Sequence, residues 1–439
     1  MTEVHVQLQE WQRIGPGTTV AVDGLNGFAF DSADDRACAE RLSESGTLVL
    51  VERRDGLQIQ ARAHVGRLRL GRLTVTVTPK LGSAELLQLF QYAYGLRDVQ
   101  RLGAAAYSTT GGLLQDLLIA QLNAEVRVLL ERGVSRRYVP VDERLTSPRG
   151  QIDFRRLAQL GAQPDAGLPC RHHPRDTDHP LNRAVLAGLS LARRRAEDPR
   201  LALDVARLER AFGELANAQD LSAQLILEAE RNLNRLVAPY ASILRLIALL
   251  YGSQFLELEG EAKGEPLPGF LFDMNRFFQA LILRFLEEHL PRTLAVQSER
   301  GLSGMMRYLP AENPRAAKAP TPRPDYAIRS GDQVVALLDA KYRDLWERSL
   351  PRDMLYQLSI YALSQPRGST AAILYPTTDP SARQSRIEIR DPVSSTSEGF
   401  VAVRPVVLPH LLACLDDEGS GRAGARSELA ARLAMGDTG

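Results

Sequence analysis

The stretch that decides the reading is Pro324–Tyr342, PDYAIRSGDQVVALLDAKY. Two apolar runs flank Ser330, Gly331 and Asp332, a combination that favours a hairpin turn. Asp339 and Lys341 stand two apart at the end of the second run, so in a strand both side chains leave one face. With Ser330, Gly331 and Asp332 as the loop, the expected register sets Asp325 opposite Leu337. Asp325 is then diagonal to Asp339 on the same face, roughly 7–8 Å away between Cα atoms. Two carboxylates at that separation can share a divalent ion. Phosphodiester hydrolysis calls for such an ion, which neutralises developing phosphorane charge and lowers the pKa of an attacking water. Mg2+ suits oxygen ligands, with Mn2+ as an alternative, and the Ala340 carbonyl can supply a further ligand. Lys341 can orient or deprotonate the water and hold a phosphate oxygen.

An aspartate and a lysine two apart also make an ordinary strand-end ion pair, and a second such triplet, Glu261-Ala262-Lys263, falls in a polar, glycine-flanked loop and reads as solvated surface. Composition separates the two. Among 54 basic residues only four are lysine, Lys80, Lys263, Lys318 and Lys341. Where arginine serves as the generic cation, a remaining lysine is a candidate for a role that needs an ammonium. No lysine follows a glycine, which excludes the GxxxxGK[ST] phosphate loop and any nucleotide bound in that way by this chain alone.

Outward from the hairpin the chain reads as α/β and multidomain. Residues 1–82 are β-rich, with TLVLVER, LQIQARAHV, RLRL and LTVTVTPK alternating apolar and polar residues between Gly56, Gly66 and Gly71. Residues 83–252 are mainly helical, with Gly112 opening one long amphipathic run, Pro239 dividing another, and RRYVPVDERLTSPRGQID interrupting as a hairpin or arm. Residues 253–410 begin with a helix whose Met274, Phe277, Phe278, Leu281, Ile282 and Phe285 form one stripe. A proline-rich loop, the hairpin, a helix from Pro351 and the strands TAAILYP, RIEIR and FVAVRPVVL follow, the order of a mixed sheet. Residues 411–439 read as one short helix and a loose tail.

Cys38, Cys170 and Cys414 are scattered without a CxxC, which argues against a disulfide framework or a cysteine zinc site. His172, His173 and His179 in CRHHPRDTDH lack the spacing of a zinc module and read as a polar loop. No stretch reaches the roughly 18 apolar residues of a membrane span, and the N-terminal residues lack the order of a secretory signal, so a cytoplasmic location is expected. A net charge of +1 excludes a uniformly basic coat and leaves regional DNA contacts.

The pattern PD…DAK, followed by Gln357 and Tyr361 one helical turn apart, resembles the PD-(D/E)xK nucleases, within them the RecB-like group, where such a Gln and Tyr sit beside the metal. Read from the residues alone, Gln357 and Tyr361 are ordinary helix positions. GRLTVTVTPKL, RRYVPVDERLTSPRGQID, DHPLNRAVLAGL and FLFDMNRFFQ, with the hairpin, resemble the McrC family of modified-cytosine restriction systems over about Gly66 to Pro376. The resemblance implies a β-rich N-terminal domain that docks on a hexameric AAA+ GTPase, McrB, and a C-terminal restriction-endonuclease-like domain that cuts double-stranded DNA with modified cytosine. It also implies a glutamate in the helix after DMN as a metal ligand. Here Phe277, Phe278 and Gln279 occupy that place, and an amide ligates Mg2+ more weakly than a carboxylate. A stand-alone RecB-like repair nuclease, or a DNA-binding or scaffold subunit with a degenerate nuclease site, are the competing expectations.

Overall fold

The computed structural model describes residues 3–20, 22–96, 114–160, 167–256, 265–266, 269–298, 300–416 and 423–436. Gly112 and the Glu261-Ala262-Lys263 triplet lie outside them. Where the sequence reads as four consecutive segments, contacts divide the chain into two units. One comprises Met1–Val65, Leu70–Leu96 and Phe272–Gly439, the other Gly66–Arg69 and Arg97–Leu271.

The first unit is built on a six-stranded mixed sheet. Its order is Ala295–Ser298, Tyr326–Ser330, Gln333–Ala340, Thr370–Thr377, Ser397–Val407 and Ser385–Arg390. The middle strands Gln333–Ala340, Thr370–Thr377 and Ser397–Val407 run parallel, while the other three pairings are antiparallel. Central parallel strands are covered on both faces, which is why VVALLDA and TAAILYP are nearly continuous apolar runs. Helix Arg352–Leu363 closes one face, its Leu358, Tyr361 and Ala362 sharing a core with Ala327, Leu337, Ile373 and Val401. Helix Met274–His289 buries the whole expected stripe, Met274, Phe277, Phe278, Leu281, Ile282 and Phe285.

Helix Ser83–Tyr94 opens the middle region in the sequence reading yet belongs to this unit. Its Phe90 ring stacks on Phe277, centroids 4.2 Å apart. The expected strands are present as Leu48–Arg53, Gly56–Ala61, His64–Leu70 and Leu73–Thr78. Val4–Gln9 adds a strand parallel to Leu73–Thr78. Helix Ala33–Glu44 was not legible in the β-rich segment, because only Ala39 and Leu42 are buried along it and its start is fixed by the Ser32 hydroxyl, which accepts from the Asp34 and Asp35 amides. The expected loose tail is corrected too. After Leu408–Leu415 comes helix Ala423–Met435, which buries Leu429, Ala430, Leu433 and Ala434. Arg404 donates to the Leu433 and Ala434 carbonyls at 3.0 and 2.8 Å, satisfying acceptors that a helix C-terminus leaves open. Two leucines and two alanines carry that face over little more than one turn, too short a stripe to announce the helix.

The second unit holds helices Leu114–Arg132, Pro180–Arg195, Pro199–Gly213, Ala223–Arg231 and Pro239–Gly252. Pro239 does divide the long run, standing at the first helical position, where its missing N–H costs nothing. Any Cβ at Gly188 would collide with Ile247, so glycine lets these two helices close. The arm is a three-stranded sheet, Val141–Leu145, Leu168–His172 and Gln151–Ile152, so part of the CRHHPRDTDH stretch is strand rather than loop. His179 is buried, with Nε2 3.0 Å from the Ser135 carbonyl, and Asn182 donates to Ser135 and Thr177. The DHPLN block is thereby a helix-start lock.

Candidate active site

The hairpin forms, with a register that differs from the expected one. Ser330 pairs with Gln333 across a two-residue turn in which Gly331 has φ +59°, and a bulge follows between Ile328 and Arg329. Ala327, not Asp325, therefore lies opposite Leu337, and Tyr326 lies opposite Leu338. One step further along the same register sets Asp325 against Asp339. The shorter turn and the bulge together move the acids from diagonal to facing positions.

Asp325 Oδ2 accepts from the Ala340 N–H at 2.7 Å. Lys341 Nζ lies 3.2 Å from Asp339 Oδ2, with the Asp339 side chain 3% exposed and that of Lys341 28%. The two thus share one face. Burial, then the Asp325 charge, push the Asp339 carboxyl up to about 6, against the pull of the Lys341 ammonium. Burial works against the ammonium of Lys341, but the Asp339 and Asp325 charges outweigh it and hold the pKa above the ordinary lysine value. A second carboxylate facing a nearly dry first one is costly without a cation between them.

Helix Arg352–Leu363 brings the remaining pair. Gln357 Nε2 donates to the Tyr361 hydroxyl at 2.7 Å. Burial raises the Tyr361 pKa, the Gln357 bond lowers it, and the Asp339 and Asp325 charges raise it again. Tyr361 therefore lies within the field of both acids. Gln279 meets the hairpin through its backbone, its carbonyl accepting from the Tyr326 hydroxyl at 2.8 Å. Among the described residues no group of three or more His, Cys, Asp or Glu is placed to hold a metal.

Two further residues hold the chain just beyond Lys341. Asn275 Oδ1 accepts from the Tyr342 N–H at 3.0 Å, and Glu10 Oε1 accepts from the Tyr342 hydroxyl at 3.0 Å and from the Lys80 N–H at 2.8 Å. Burial pushes Glu10 up to about 7, opposed by these hydrogen bonds. Asn275 could have been suspected from the FLFDMNRFFQ block, whereas nothing around Glu10 in VQLQEWQRIG signals a partner more than 300 positions away.

The fold and cluster define the class: a mixed α/β protein that carries two facing carboxylates and a lysine at the end of a buried central strand. Residues 59–376 match the family described as McrBC 5-methylcytosine restriction system component, and the chain belongs to that family. No curated protein matches it. Among solved structures it is similar to a chain of a Thermococcus gammatolerans assembly, a half-complex of McrB AAA+ hexamers with bound McrC. The identity is 21%, the TM-score 0.60, and the match covers 97% of this chain and 99% of that one. A chain of the Thermococcus gammatolerans McrBC complex is 19% identical with a TM-score of 0.46, over 66% of this chain and 89% of that one. Among the described residues no helix is long and apolar enough to cross a membrane.

Proposed function

We propose that this chain is the DNA-cutting subunit of a modification-dependent restriction system, a PD-(D/E)xK endonuclease that works with a separate AAA+ GTPase ring. The observation that carries the reading is the approach of Asp325, Asp339 and Lys341 at one strand end, within a chain of the McrBC family. The partner follows from the similar archaeal assembly, whose McrC is bound to McrB AAA+ hexamers, and from the lack of a GxxxxGK[ST] loop in this sequence.

The residues fit a divalent cation. Asp339 is nearly buried, and burial and Asp325 push its carboxyl up although the Lys341 ammonium opposes them, so the carboxylate pair would gain from further positive charge. Asp325, Asp339 and the Ala340 carbonyl would hold Mg2+, with waters completing the shell and Gln279 as the weakest contributor. When bound, such an ion supplies a nucleophilic water at neutral pH and stabilises charge on the phosphate. Lys341 holds a phosphate oxygen and orients the water, and its pairing with Asp339 keeps it protonated for that task. Tyr361, whose hydroxyl accepts from Gln357, is buried, so its part is to shape the field at the acids from the protein side rather than to touch DNA.

The test is cleavage of DNA bearing 5-methylcytosine by the chain with its ring partner and GTP or ATP. Wild-type cutting that persists unchanged in Asp339→Ala or Lys341→Ala sinks the reading. Cutting without any partner favours a stand-alone nuclease. Gln279 favours one other reading, a scaffold with a degenerate site. Calorimetric titration with Mg2+ or Mn2+ separates these, since a scaffold shows no metal binding that depends on Asp325.

A further inference from the structure

We propose that Glu10 and Asn275 are positioning residues for Lys341, acting through Tyr342. This rests on the nuclease reading for its kinetic consequence, though not for its structural one. Lys341 has a side chain long enough to leave Asp339, and what limits it is the path of its own backbone. On one side that backbone is fixed by the ladder, since the Lys341 N–H donates to the Leu374 carbonyl at 3.0 Å. On the other side the sheet pairing with Thr370–Thr377 stops at Ala340. The chain then turns, with the Arg343 N–H donating to the Lys341 carbonyl at 2.8 Å.

Tyr342 is gripped where the ladder ends. Its N–H is held by Asn275, its hydroxyl by Glu10, and its ring meets Phe278 edge-on, centroids 6.1 Å apart. Asn275 is itself placed by the start of its helix, where Asp273 caps the Asn275 N–H at 2.8 Å. Glu10 continues the parallel strand Val4–Gln9, and its N–H donates to the Thr78 carbonyl at 3.0 Å. Trp11 and Lys80 hold three more residues of the loop. Arg348 donates to the Trp11 carbonyl at 3.0 Å, Arg343 and Arg348 lie 5.4 and 5.8 Å from the Trp11 ring centre, and Lys80 Nζ meets Glu347 at 2.8 Å.

Such a grip goes beyond ordinary packing. A buried carboxyl is an expensive way to fill space, and Glu10 is 2% exposed, with Oε2 buried and without a partner among the described residues. An apolar residue would pack there at less cost while leaving the Tyr342 hydroxyl unheld. The geometric return is at the ammonium, because an error of about 1 Å at a reacting group can cost on the order of 100-fold in rate.

The experiment uses the full chain with its ring partner. Glu10→Ala and Asn275→Ala are expected to lower kcat on methylated DNA about 10-fold or more while KM and the calorimetric Mg2+ affinity stay within about twofold. Glu10→Gln, which keeps an acceptor for the Tyr342 hydroxyl, is expected to restore most of the rate. A second readout needs no activity. With only four lysines, 13C-lysine labelling gives four Cε resonances, and Lys341→Arg assigns one of them. That resonance is expected to move toward the position of a solvated lysine in Glu10→Ala and to stay in Glu10→Gln. An unmoved Lys341 resonance in Glu10→Ala overturns the proposal, as does a Glu10→Ala protein that loses stability at unchanged kcat. A resonance that moves in a protein whose wild type cuts nothing upholds the positioning and overturns the nuclease reading alone.

Discussion

Asp325 Oδ2 accepts from the Ala340 N–H at 2.7 Å, so the acid of one strand is clipped to the backbone between the acid and the lysine of the next. That single bond holds three groups at one strand end. It also fixes how far Asp325 can withdraw from Asp339, and hence the electrostatic cost that the site stores.

The cost predicts a pH dependence. An unfolded aspartate titrates near 3.8, whereas burial and Asp325 push Asp339 up to about 6. Between these values the folded chain keeps a proton that the unfolded chain has lost, so stability falls as pH rises through that window and stays low above it. Asp339→Asn is therefore expected to melt at a higher temperature than wild type at pH 7.5 without metal, and at a similar one at pH 4. Mg2+ is expected to raise the wild-type Tm at pH 7.5 and to lose most of that effect at pH 5. Calorimetric scans at three pH values check the sign.

Lys341→Arg keeps the charge and changes its shape. The Asp339 partner lies 3.2 Å away in a site sized for a compact ammonium, and a planar guanidinium forks past it. We expect cleavage to fall by about 100-fold with Mg2+ affinity nearly unchanged, measured as single-turnover rates, on the scale of a lost positioned catalytic group.

Gln279→Glu offers a third carboxylate on the helix whose residue-279 carbonyl already meets Tyr326. Mg2+ is expected to bind several-fold tighter by calorimetry, because a carboxylate is the better ligand. An unchanged affinity would show that the side chain at 279 does not reach the ion.

Phe277 is flat against Phe90 and 1% exposed. Phe277→Ala is expected to cost about 3–5 kcal/mol, read from denaturant unfolding, with the secondary structure of the folded protein retained. A cost under about 1 kcal/mol would mean that the Ser83–Tyr94 helix is not integral to the first unit's core.

What the sequence determined by itself was which residues could come together as a candidate site and most of the element types. Asp325, Asp339 and Lys341 could be singled out because side-chain period along a strand is local, and the stripe from Met274 to Phe285 because helical period is local too. Register was not local. The expected diagonal of Asp325 and Asp339 became a facing pair because a two-residue turn and a bulge at Ile328 shifted the strands, and turn length is weakly encoded by Ser-Gly-Asp. Only the tertiary structure could decide that Met1–Val65 and Leu70–Leu96 share a unit with the C-terminal sheet, since Phe90 on Phe277 and Glu10 on Tyr342 are contacts between residues remote in the chain. It likewise made a packed helix of Ala423–Met435, whose buried face of two leucines and two alanines is too short to signal itself.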